Sequence, residues 1–98
     1  MVPSFHCAFK HTIELVIAPG ARFVAEERRV YGVGIDTASV DITEPNLPHR
    51  LLFARDVYVI ENLHNLDKVP SVGAHAIVSV LKIDGASGSP ARVVAILP

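Results

Sequence analysis

His49 and Glu61 bracket the stretch "HRLLFARDVYVIE", with the histidine where a helix-like run begins and the glutamate where a strand-like run ends. An imidazole nitrogen and a carboxylate oxygen brought together there could share a divalent metal ion or a hydrogen bond. The intervening lengths allow it. A helix of about eight residues from Pro48 advances about 12 Å, and a four-residue strand returning the other way covers about 13 Å. The spacing therefore predicts both residues at one end of a layer, with side-chain polar atoms within about 6 Å, a span that admits one metal or a metal pair. An ordinary His–Glu surface pair fits the same geometry.

The elements that must position this pair are legible from pattern and punctuation. "PNLPHRLLFARD" offers Asn46 or Leu47 as cap and Pro48 as first helical residue, because proline's fixed φ and missing N–H suit a helix start. "VYVI" reads as the strand that follows. Upstream, "APGARFVAEERR" has Pro19 ahead of an apolar run, with acids before bases, and predicts a short helix. "VYGVGID" reads as a buried strand whose glycines permit close backbone approach. Downstream, "HAIVSVLKI" (75 to 83) and "ARVVAIL" (91 to 97) are β-branched and nearly continuously apolar, which predicts strands covered on both faces. "DGASGSP" between them predicts a hairpin with a long loop. Residues 1 to 18 give no clear pattern.

Composition narrows the function classes. The 98 residues fit one domain, and 50% hydrophobic against 19% charged residues is a core-forming balance. Nine basic residues nearly cancel ten acidic ones, so nothing suggests a nucleic-acid footprint or a polybasic membrane patch. No segment approaches the roughly 20 apolar residues of a membrane helix, and the N-terminus lacks a secretory pattern. Cys7 is the single cysteine, which excludes an internal disulfide and fits a reducing compartment. A cytoplasmic location is expected.

The succession "GVGIDTASVD", "HRLLF", "VIENLHNLDKVP" and "LKIDGASGSPARVVAIL" resembles the C-terminal half of the cyclase family, which contains the bacterial-type kynurenine formamidases and the isatin hydrolases. The resemblance covers about residues 19 to 98 in order, leaving 1 to 18 as a divergent N-terminal segment. It implies an α/β (α+β) fold: part of a swivelling β/β/α domain, with a mixed sheet of about four strands and two short helices. It also implies that His49 and Glu61 are metal ligands, for zinc or manganese, in an enzyme that hydrolyses cyclic or N-formyl amides.

The departure from the family lies upstream. Its His-x-Gly-Thr-His-x-Asp-x-Pro-x-His signature supplies the other ligands and a general base, and the chain holds only His6, Cys7 and His11 in the corresponding region. Two ligands do not make a hydrolytic metal site, which needs several protein ligands and an open position for water. The expected function is that of a remnant or fragment of a metal-dependent hydrolase, inactive alone and completed by a chain carrying the missing half. The rival expectation is a non-catalytic interaction module of the same descent, associating with itself or with another protein. Asp36 and Asp41 are expected to cap a turn or helix, with substrate contact as the alternative. Asn62 and Asn65 either scaffold a turn or support Glu61 from behind. Arg92 opens an apolar strand, where an edge position is commoner than a substrate clamp.

Overall fold

Strand β2 (Gly32–Gly34) lies between β1 (Cys7–Phe9) and β3 (Tyr58–Ile60) and pairs in parallel with both. Val33 sits opposite Ala8 on one side and Val59 on the other. The computed structural model describes residues 7–9, 21–28, 30–41 and 46–98. His6 and His11 lie outside them, as does Pro19, and of Cys7 only the backbone is described. The chain divides into two compact units, residues 1–66 and 67–98. Parallel and antiparallel pairing both occur, the parallel in the first unit and the antiparallel in the second.

In the first unit, parallel strands require long crossover connections, and these carry the helices. One π-helical turn, α1 (Phe23–Glu27), falls between β1 and β2; the Arg28 N–H reaches back to the Phe23 carbonyl at 3.2 Å. Helix α2 (Leu47–Phe53) falls between β2 and β3 and has Pro48 in its first turn. Ala21, Val24, Val30, Val33, Ile35, Val40, Leu52 and Val57 form the core, with Leu51 and Val59 packed against it. Gly32 leaves room for the Tyr58 ring, which a Cβ at that position would overlap.

α2 stops abruptly. The Val57 N–H bonds the Leu52 carbonyl at 3.0 Å and the Asp56 N–H bonds the Phe53 carbonyl at 3.1 Å. Asp56 is left-handed, with φ of 57°. This is a Schellman closure with aspartate in the place glycine usually takes. It brings buried Val57 beneath Leu52 and hands the chain directly into β3.

The second unit holds a hairpin of β4 (His75–Val80) and β5 (Ala91–Ile96) in the register Ile77↔Val94 and Val80↔Ala91. The predicted hairpin is present, but β4 ends at Val80 rather than Ile83. Pro90 would stand next in β5 and has no N–H to extend the ladder. Coverage on both faces, expected from the apolar runs, does not hold. No hairpin residue is buried, and Ile77, Val80, Val94 and Ile96 are all exposed. Register places Ala76, Val78, Val80, Ala91, Val93 and Ala95 on one face, and a two-stranded ladder brings no second layer of its own to bury it.

Candidate metal-binding half-site

Three chain segments meet beside the parallel sheet: the loop after β2, the first turn of α2 and the residue after β3. The loop after β2 is held to the chain beyond β3 by backbone bonds, Ile35 N–H to Ile60 O, Asn62 N–H to Thr37 O and Leu63 N–H to Ile35 O, each 2.9 Å. Within the loop the Thr37 hydroxyl donates to the Ser39 carbonyl at 2.9 Å, and the Asp41 N–H donates to Ser39 Oγ at 3.0 Å. Fully buried Val40 pins the loop to the core. Asp41 is thereby set against the start of α2.

His49 stands in the first turn of α2, with its ring against Phe53 one turn on, the centroids 5.4 Å apart. Its Nδ1 lies 2.6 Å from Asp41 Oδ2. Its Nε2 lies 3.2 Å from Glu61 Oε1. The Val40 N–H also donates to Glu61 Oε1, at 3.3 Å. The Asp41, His49 and Glu61 side chains are 11%, 24% and 28% exposed, so the cluster is mostly withdrawn from water yet open at its Glu61 edge. The predicted proximity of His49 and Glu61 is therefore met, well inside the span of about 6 Å that a shared ion requires.

Asp41 does what its sequence position suggested and more. Asn46, at the N-terminal cap position of α2, is left-handed and makes no side-chain cap bond. Instead Asp41 Oδ2 accepts the Asn46 N–H at 3.1 Å and Oδ1 accepts the His49 N–H at 3.2 Å, satisfying donors that the first turn leaves without helical partners. Its contact with the His49 ring was not legible in the sequence. The one local signal is a short acid placed eight positions before the histidine, on the far side of a helix start.

Asn62 and Asn65 are both left-handed, with φ of 57° and 61°. That backbone conformation suits asparagine. Both side chains are exposed, and among the described residues neither amide hydrogen-bonds Glu61. Asp36 lies exposed in the loop after β2, and Arg92 is exposed in β5 opposite Ser79.

The donor set suits a divalent ion in part. An imidazole nitrogen and a carboxylate oxygen 3.2 Å apart match the ligand preferences of zinc or manganese. Among the described residues no group of three or more His, Cys, Asp or Glu is arranged to hold a metal ion. His49 and Glu61 would hold one side of such an ion and leave its other positions to be filled.

Comparison with known proteins bears on this geometry. The chain is 39% identical over 67 residues to isatin hydrolase from Roseibium aggregatum, a match that covers 67% of the chain and 26% of the relative. Isatin hydrolase A from Ralstonia solanacearum superposes with a TM-score of 0.77 at 32% identity, over 84% of this chain and 34% of that one. The chain belongs to the isatin hydrolase-like cyclase family. A potential metal-dependent hydrolase with cyclase activity is also similar, with a TM-score of 0.69 and 32% identity over 79% of this chain and 38% of that one. No family model matches the chain. The chain thus spans about a quarter of its curated relative and about a third of its structural neighbours. Among the described residues no helix is long and apolar enough to cross a membrane.

Proposed function

We propose that the chain is part of a metal-dependent hydrolase and contributes His49 and Glu61 as two ligands of a divalent ion, zinc or manganese. The observation that carries this is the 3.2 Å approach of His49 Nε2 to Glu61 Oε1 from two separate elements. When bound, such an ion supplies a Lewis acid and makes hydroxide available near neutral pH. The chain's own part is to present the nitrogen and oxygen already oriented, His49 by the rigid first turn of α2 and Glu61 by the Val40 N–H.

The substrate class proposed is a cyclic or N-formyl amide, in keeping with the isatin hydrolases it resembles. The remaining ligands and the general base come from polypeptide outside these 98 residues, whether another chain or the rest of a longer one. The chain alone is therefore expected to show no turnover of isatin or N-formylkynurenine with added Zn²⁺ or Mn²⁺. Addition of a polypeptide carrying the missing signature should restore turnover, and His49→Ala should abolish it. Metal-dependent turnover by the isolated chain that is lost in His49→Ala would overturn the assignment of the remaining ligands and base to other polypeptide, and turnover of the completed enzyme that survives His49→Ala would overturn the ligand role of His49.

A second reading, an interaction module without catalysis, is favoured by the exposed apolar side chains of Ile77, Val80, Val94 and Ile96. Failure of the missing half to restore turnover, together with stable association through the hairpin, would select it.

A further inference from the structure

The His49 ring stands between two carboxylates that compete for its proton. Ionised carboxylates only accept hydrogen bonds. A neutral imidazole carries one proton, so it can satisfy Asp41 through Nδ1 or Glu61 through Nε2, but not both. The two sides are unequal. Asp41 is 11% exposed and approaches to 2.6 Å, whereas Glu61 is 28% exposed and approaches to 3.2 Å. The shorter contact in the drier setting is the stronger charge-assisted bond.

Asp41 is also held more rigidly. Both of its oxygens accept backbone N–H groups at the start of α2, at 3.1 and 3.2 Å, so it cannot turn away from the ring without uncapping the helix. Capping alone would require only those two bonds. The ring contact is the shortest of the three and is surplus to that role.

We infer that Asp41 is a positioning residue that holds the neutral His49 ring in the Nδ1–H tautomer, so that Nε2 presents a lone pair toward Glu61 and any cation placed between them. This rests on the reading of His49 and Glu61 as a ligand pair. It adds that the carboxylate capping α2 also selects the ligating nitrogen, so formation of the helix start and preparation of the site are one event. Partners of this kind fix the tautomer and raise the basicity of ligating histidines. Val40, the neighbour of Asp41, holds Glu61 through its N–H. The two-residue segment 40–41 therefore orients both side chains of the pair.

The test is ring ¹⁵N NMR of the full chain without metal, at about pH 9, above the ordinary imidazole range, with His49 assigned by His49→Gln. The expected spectrum has a protonated Nδ1 and a bare Nε2. Asp41→Asn leaves Glu61 as the one carboxylate on the ring, and the proton should move to Nε2. Glu61→Gln removes the competitor, and the proton should stay on Nδ1. A wild-type or Glu61→Gln ring protonated on Nε2 would overturn the inference, as would Asp41→Asn with the tautomer unchanged. If Asp41→Asn loses the dispersed methyl signals of Val33 and Leu52, the wild-type and Glu61→Gln spectra decide.

Titration with Mn²⁺ separates this from the underlying reading. Paramagnetic broadening should centre on residues 49 and 61, and its midpoint should rise about 10- to 100-fold in a folded Asp41→Asn chain. Absence of broadening there in wild type would remove the ligand reading and leave the tautomer result standing. An unchanged midpoint in folded Asp41→Asn would overturn the role of Asp41 toward the ion.

Discussion

In residues 1–66, Val33, Ile35, Val40, Leu52 and Val57 are at most 2% exposed, while in residues 67–98 Ile77, Val80, Val94 and Ile96 keep between 44% and 60% of their surface in solvent. The second region contains the longer apolar strands, yet the first contains the core. The difference follows from connection type. Parallel strands are joined by crossovers, and a crossover that folds back covers the sheet with whatever apolar face it carries. A hairpin pairs locally and needs no cover to form its ladder, so its side chains remain wherever the two strands leave them. Apolar content alone therefore did not locate the core.

The sharpest way to break this comparison is a matched truncation in the two regions. Leu52→Ala opens a cavity beside Val57 and should destabilise the chain by about 2–5 kcal/mol. Val94→Ala removes one cross-strand partner of Ile77 and should cost only about 0.2–1 kcal/mol. Denaturant unfolding followed by circular dichroism measures both, and equal costs would abolish the distinction.

A smaller effect is expected from adding a methyl group. Gly32→Ala must displace the Tyr58 ring between β2 and β3, at a cost of about 1–3 kcal/mol typical of overpacking. Gly88→Ala, with open space around it in the hairpin loop, should stay within about 0.5 kcal/mol. Thermal melts of the two variants compare them directly. A larger loss for Gly88→Ala would show that the loop is packed more tightly than its neighbour distances allow.

A similarly small change in stability should come from the exposed pair Ile77 and Val94. Replacing Ile77 with lysine and Val94 with glutamate should leave unfolding within about 1 kcal/mol, because the two side chains keep 50% and 44% of their surface in solvent and opposite charges suit a directly paired position. Its effect should instead appear in sedimentation. Exposed apolar strands promote association, so the wild-type chain is expected to self-associate with rising concentration and the double variant to remain monomeric. A wild-type chain that stays monomeric throughout would show that these faces are tolerated in solvent.

What the sequence determined by itself is what neighbouring residues control. Pro48 placed the start of α2, the turn-rich "DGASGSP" placed the hairpin, and the words around "HRLLF" and "IENL" placed the chain in its family. The meeting of His49 and Glu61 was also reachable, because a helix and strand of known rise leave little freedom over so short a span. Only the tertiary structure decided which apolar runs are buried and what Asp41 does. The first depends on whether another layer lies across the strand, which strand composition does not encode. The second depends on a loop folding back to place Asp41 against a ring eight positions away and the Val40 N–H against a carboxylate 21 positions away. Local propensities act over a turn or two, whereas those contacts exist only when the packed core holds the backbones of β2, α2 and β3 in place.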